Sequence, residues 1–448
     1  MLRVNSHCQF ALAMSFYLVV ILTCQNIIGA KNCNSETLCD QTACDAIDGE
    51  IRAKKLEKPD IFSALYPKRL RTLSERLLDH GIAFEGNVTT YYQGNVAGGR
   101  QRKFQFSGHG DYVANLNLEK LGFGRGQFLK VRAEHRFGVP ITQAAGALLP
   151  PNTVAEVPKR NSEDLLVTNL VFIQALSESF LVYFGKLDTL GEMDGSLVSG
   201  RGINQFSNLA LVSDPIGLRT VAFSTLGTGF TVLRNGEKVF NLLALNAHDT
   251  VETLGFTELY SKGVAIIPEI TLPTKFGGLR GKHTFTGIWN TKTYVELNQP
   301  PLFYFPTVPI KRQEGSWVLS YSAEQFLAAK SDNEKIGWGI FGHAAIADKQ
   351  TNPIKYFFTL GLAGHNLAEG REGDRFGLGG FYYGLSDEIE PALTSMVGGI
   401  QNGAGLELFY NWKLNRSTEL TFDTQYLQSP LKQYDDTLLV GMRLNLTF

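Results

Sequence analysis

Charge is scarce in this chain. Only 19% of its 448 residues are Asp, Glu, Lys or Arg, against roughly 25% in an average soluble domain. The signs nearly cancel, 42 cations against 43 acids, so the basic surplus of a nucleic-acid binder is missing. Cysteine stops early, with all five at Cys8, Cys24, Cys33, Cys39 and Cys44, and everything beyond Cys44 must fold without disulfides. Long apolar runs are absent too, and a mean hydropathy of −0.07 excludes a helical membrane protein. What is abundant is equally informative: 30 Phe, 16 Tyr and 46 Gly, with 44% hydrophobic residues, too apolar for disorder.

Residues 1–30 read as a secretory signal. Arg3 is followed by an apolar run from Phe10 to Leu22, and Ile28-Gly29-Ala30 supplies a small-residue cleavage site. The run is shorter than the roughly 18 residues an anchor needs. A lipoprotein signal at Cys24 is the lesser reading, because Thr23 stands where a smaller residue is usual. Residues 31–80 form a Cys-containing periplasmic leader, with one disulfide expected among Cys33, Cys39 and Cys44. No His accompanies these three, which argues against a metal site. Leu70, Leu73, Leu77 and Leu78 among Arg and Lys predict a short amphipathic helix ending near Gly81.

Beyond Gly81 the period changes to two. Leu438, Val440, Met442, Leu444, Leu446 and Phe448 alternate with Thr437, Leu439, Gly441, Arg443, Asn445 and Thr447. Leu406, Leu408, Tyr410 and Trp412 alternate with Glu407, Phe409, Asn411 and Lys413. After the turn at Asn415-Arg416-Ser417, Leu420, Phe422 and Tyr426 alternate with Thr421, Asp423 and Gln425. The same pattern covers Ile82–Tyr92, Tyr112–Leu118, Leu129–Ala133 and Ile336–Ile346. It predicts antiparallel strands joined alternately by tight turns and longer loops. Leu165–Gly185 has the length of a membrane helix, but Asn169, Gln174 and Glu178 interrupt it. It reads instead as two strands joined at Ser177-Glu178-Ser179.

Alternation alone fits a soluble β-sandwich or an outer-membrane barrel. Three features favour the barrel over residues 81–448. One parity carries charges of both signs while the other carries Tyr and Trp, including Trp338 and Trp412 at girdle positions. Longer loops follow alternate strands. The last strand runs to Phe448, where a closed sheet must seal its edge. About 16 strands of roughly ten residues fit the length. No Gly-x-Ser-x-Gly, His-Glu-x-x-His or phosphate-loop signature occurs, so no enzyme and no cofactor is expected.

Several stretches carry a family likeness. Leu77-Leu78-Asp79-His80-Gly81-Ile82, running into Thr89-Thr90-Tyr91 and Gly94-Asn95-Val96-Ala97-Gly98-Gly99, resembles the opening of the carbohydrate-selective (OprB-type) porins. Phe184-Gly185-Lys186-Leu187-Asp188 is similar to one of their strand ends. Gly370-Arg371-Glu372-Gly373-Asp374-Arg375-Phe376-Gly377-Leu378-Gly379, and the ending from Gln425-Tyr426 through Arg443 to Phe448, resemble theirs as well. The likeness spans about Arg69 to Phe448 and is thinnest over 250–331. It implies a sixteen-stranded outer-membrane barrel passing small carbohydrates such as glucose, with loops folded inward and, by analogy, a homotrimer. A general diffusion porin is the alternative among channels, and a secreted carbohydrate-binding β-sandwich the alternative from another class.

A sugar-selective bore needs donors and acceptors for hydroxyl edges and a ring for C–H faces. Lys130, Arg132, Glu134 and Arg136 share one strand face, with about 7 Å between neighbours. Glu85 and Asp111 stand at the same parity on the two preceding strands, placed to compensate those cations. A merely wet lumen wall explains this patch equally well. Tyr91 is a candidate stacking ring, although such rings more often fill space. Arg201 lies in the long segment from Leu190 to Pro215, readable either as a loop folded into the bore or as an outer loop. Arg375 faces inward near a rim, and His109 reads as a wall residue.

Overall fold

Period-two alternation becomes one continuous antiparallel sheet. The computed structural model describes residues 77–190, 197–198, 201–299, 309–389 and 398–448. The signal, the three leader cysteines and most of the expected Leu70–Leu78 helix lie outside them; residues 77–79 form a single helical turn. The strands are β1 (Ile82–Ala97), β2 (Phe104–Asn117), β3 (Gln127–Gly138), β4 (Leu166–Ser177), β5 (Phe180–Asp188), β6 (Ser224–Arg234), β7 (Glu237–Asn246) and β8 (Val264–Phe276). They continue as β9 (Leu279–Val295), β10 (Arg312–Lys330), β11 (Asn333–Ala347), β12 (Ile354–His365), β13 (Arg375–Leu385), β14 (Gly403–Lys413), β15 (Thr418–Leu427) and β16 (Thr437–Thr447). Each pairs with its neighbours in sequence, and β1 pairs with β16, giving a closed barrel of 16 strands. Closure removes both sheet edges, which a membrane-spanning sheet requires.

The two ends differ. At one, residues 178–179, 235–236, 277–278 and 331–332 make two-residue turns. Asn235-Gly236 and Gly277-Gly278 have positive φ at both positions (54° and 76°, 59° and 82°), as turns matched to the strand twist demand. At the other end the connections are long, with residues 139–165 after β3 and 189–223 after β5. In outer-membrane barrels short turns face the periplasm and long loops the exterior. The seam closes with Gly86 and Phe448 exchanging backbone hydrogen bonds of 3.0 and 2.9 Å. The Phe448 ring lies over Gly86, where a Cβ would sit 2.6 Å from it.

The aliphatic rows point outward. Leu438, Met442, Leu444 and Leu446 are 36–48% exposed, and no second sheet covers them, so the sandwich alternative does not hold. The inner face is not uniformly polar. Leu439, Phe409, Phe357, Val318 and Leu245 stand at inner positions and are fully buried. They bury against the loop after β5, which turns into the bore carrying two short helices, α2 (Leu209–Val212) and α3 (Gly217–Thr220). An earlier helix, α1 (Thr142–Ala145), lies in the loop after β3. Phe206, Leu211, Val212 and Ile216 from the inward loop join the inner-wall residues in one apolar cluster. Each such side chain contributes about 1.5–3 kcal/mol on burial.

A bore lined by charge and a docked loop

The inward loop is held by wall groups from many strands. Phe206 packs edge-on against Phe409 and Phe341, with centroids 4.8 and 5.5 Å apart. Glu407 on β14 accepts from the backbone N–H of Ser207 (2.6 Å) and of Asn208 (2.9 Å). Gln425 on β15 accepts from Asn208 Nδ2 at 3.0 Å and donates to the Pro151 carbonyl at 2.9 Å, tying in the loop after β3. Arg443 on β16 donates to the carbonyls of Gly202 and Gln205. Across the barrel, Asn352 Nδ2 donates to Ile216 O at 3.0 Å and Asn290 Nδ2 to Thr220 O at 2.7 Å. Glycines make room on the wall: a Cβ on Gly379 would lie 2.9 Å from Leu211, and one on Gly377 2.7 Å from Phe206.

At the start of this loop sits a buried charge cluster. Arg201 Nη2 meets Glu134 Oε1 at 2.7 Å, and its Nη1 meets Asp188 Oδ2 at 2.7 Å. Arg132 shares Asp188 Oδ2 at 3.1 Å and reaches Asp111 Oδ1 with Nε at 3.2 Å. His109 Nε2 lies 3.3 Å from Glu134 Oε1, and Thr168 donates to the other oxygen of Glu134. Burial alone would disfavour the charged Arg201, but Asp188 and Glu134 outweigh it and hold the guanidinium firmly protonated. Arg201 adopts positive φ, 50°, uncommon for a non-glycine residue. That backbone turn lets one guanidinium reach acids on two strands.

The candidate residues therefore separate. The structure brings together Arg132, Glu134, Asp111 and Arg201. Lys130 faces inward on β3 toward the short-turn end, half-buried and outside the cluster. Arg136 is buried and donates to the Gly138 carbonyl at 2.8 Å rather than pairing with an acid. Arg375 is inward and lines a small cleft with Gln205, His365 and Phe409. Two expectations need correction. Glu85 does not compensate the cations: it is exposed near the short-turn rim and accepts from Asn87 Nδ2 at 2.9 Å. Tyr91 offers no open face for stacking, since it is 1% exposed and its hydroxyl donates to Gly202 O at 3.2 Å. It is another anchor of the loop.

Sequence reasoning missed Asp188, Glu407, Gln425 and Arg443 as working residues. Their inner parity was visible, but the loop backbone they bind stands some two hundred residues away in three of the four cases, as with Glu407 and Ser207 (200 residues apart). His109, read as wall, is a fully buried member of the charge cluster.

A closed sixteen-stranded barrel with an apolar exterior, a charged interior and a loop folded into the bore is an outer-membrane channel, not an enzyme. The model of the family described as "Carbohydrate-selective porin, OprB family" matches residues 101–448. The chain belongs to that family, and it is a carbohydrate porin of the outer membrane. In structure it is similar to Pseudomonas putida OprB. The high-pH form superposes with a TM-score of 0.72 at 18% identity, covering 85% of this chain and 97% of that one. The low-pH form gives 0.52 at 15% identity, covering 85% and 96%. Among curated protein sequences none matches the chain.

Proposed function

We propose that this porin passes glucose-like monosaccharides through a constriction formed where the inward loop meets the Arg132 cluster. The observation that carries this reading is the unequal burial of the cluster. Glu134 and Asp188 side chains are sealed at 0% exposure and Arg201 nearly so, whereas Arg132 keeps 15% while bound to Asp111 and Asp188. Arg132 thus turns guanidinium donors toward the water at the edge of a rigid base, held from behind by the buried carboxylates of Asp111 and Asp188, and those donors meet sugar hydroxyls. Lys130 adds a donor farther down the wall and Arg375 another at the short-turn end. Arg136 and Tyr91 shape the path without touching the sugar. Passage needs no energy source, because the sugar moves through an open channel down its own gradient.

The same reading includes export by a signal cleaved after Ala30, a periplasmic leader over 31–80, a barrel over 81–448 and assembly as a homotrimer. The test is a planar-bilayer conductance trace with a sugar panel, run beside glucose flux into liposomes. Saturable block of the ion current by glucose, weakened in Arg132→Ala, supports selectivity. An ion current indifferent to glucose makes the chain a general diffusion porin instead.

A further inference from the structure

Three basic side chains gather at the long-loop end of the bore. On β9, Asn290 and Tyr294 point inward, since Asn290 Nδ2 (2.7 Å) and the Tyr294 hydroxyl (3.4 Å) both donate to the Thr220 carbonyl of α3. Lys292 lies between them with the same parity, and its Nζ sits 4.8 Å from the centre of the Tyr294 ring. Arg219 immediately precedes Thr220 and is exposed. Lys262 is exposed one residue before Gly263, where a Cβ would lie 2.9 Å from Lys292 N. Arg219 and Lys262 are the charged neighbours of Lys292. Among the described residues none of the three forms an ion pair, unlike Arg132 and Arg201 below them. Glu258, an acid that feels the charge of Lys262, is bound to His248.

Three cations without an ion pair among the described residues stand around a buried tyrosine and repel one another, and the one favourable contact of Lys292 is with the Tyr294 ring. They create a positive potential at the outer mouth, where field lines from low-dielectric walls focus. From these residues we infer that Arg219, Lys262 and Lys292 form an outer recognition site for a sugar bearing an oxyanion, such as a hexuronate carboxylate. This deepens the porin reading, on which it rests, by extending the substrate class from neutral to acidic monosaccharides. Arg219 and Lys292 take the carboxylate, and the hydroxyl edge of the sugar is handed down to Arg132.

The experiment uses full-length protein in liposomes and in detergent. Glucuronate and glucose influx are compared between wild type and the Arg219→Ala/Lys292→Ala double variant, and glucuronate binding is followed by calorimetry. Removing the cations should cut glucuronate influx at low salt by about tenfold, the lower end of electrostatic focusing, and leave glucose influx within about twofold. Raising ionic strength should erase the wild-type advantage. Equal loss of both sugars, no loss of either, or displacement of glucuronate by inorganic phosphate as readily as by glucuronate itself overturns the site. Wild-type liposomes passing neither sugar refute the porin reading alone, and calorimetry then still decides the site: binding lost in the double variant supports it, unchanged binding removes it.

Discussion

Arg201 Nη1 lies 2.7 Å from Asp188 Oδ2, joining the last residue of β5 to the loop that this strand sends into the bore. Thirteen residues separate them in sequence, so the loop is fastened to its own strand before it crosses the lumen. The second arm of the guanidinium holds Glu134 on β3. Arg201→Ala should take one cation from two buried carboxylates, leaving Asp188 to Arg132 and Glu134 to Thr168 and His109, at a cost of about 3 kcal/mol. The barrel still forms, and its thermal midpoint falls. In a KCl gradient the reversal potential shifts toward potassium, because one positive charge has left the cluster. Arg201→Lys should be intermediate, since a point charge cannot span two acids as the planar fork does. A variant with wild-type midpoint and ion preference would show that the cluster does not hold the loop.

Glu407 gives a second prediction from the opposite wall. It takes both Ser207 and Asn208 N–H groups, beside the Phe206 ring wedged onto Phe409. Glu407→Ala leaves those donors buried without acceptors, about 1–3 kcal/mol each. Phe206→Ala removes a filled volume worth about 3–5 kcal/mol. Both should raise open-channel noise more than mean conductance, because the loop loosens while the hydrogen-bonded wall stays intact. Glu407→Gln, which keeps one of the two acceptor oxygens, should be quieter than Glu407→Ala. Noise unchanged in all three variants would mean that the loop position does not depend on these anchors.

The wall was far more legible than what fills it. Period two runs through Leu438–Phe448 and Leu406–Lys413 because each strand has one apolar neighbour, lipid, and one wet side. The residues from Ser177 to Ser179 read as a turn because polar groups interrupt an otherwise apolar run. Leu439 and Phe409 broke the pattern, standing at polar parity, and were not read as a signal. They are the imprint of a loop that buries part of the lumen, and nothing local at those positions says so. Tyr91 misled for the same reason: its inward parity was clear, while the Gly202 carbonyl that occupies its hydroxyl is 111 residues away. Asp111 reaches Arg132 from the adjacent strand, whereas Glu85 stands one strand farther away with Val113 between it and Arg132.

Acid should act on the loop through Asp214, just before α3. Burial alone would raise its carboxyl pKa, but His343, with Nε2 3.6 Å away, and the backbone N–H groups of Gly217 and Ile216 hold it below the usual range. A depressed carboxylate contributes stability above its unfolded value, about 3.9, and loses it as pH falls through the lower folded value. The stability gap between wild type and Asp214→Asn should therefore be flat from neutrality to about pH 5 and shrink below about pH 4. Denaturant midpoints at stepped pH measure it. A gap that widens on acidification contradicts the assignment.

Lipid contact is testable through tryptophan, because all four, Trp289, Trp317, Trp338 and Trp412, sit at outward parity. Trp289 faces Trp317 across the β9–β10 pair near the long-loop end, while Trp338 and Trp412 lie near the short turns, as two interfacial girdles would place them. In bilayers carrying bromine at shallow acyl positions, most of the emission should be quenched, whereas acrylamide in the water should quench little. Bromine placed at the acyl terminus, near the midplane, should be the weaker quencher because neither girdle reaches that depth. Replacing Trp289 and Trp317 with Phe should leave the shallow quenching of the other two in place. Strong acrylamide quenching with little effect of brominated lipid would mean that these faces meet water, and the outward rows of leucine and phenylalanine would then need another partner.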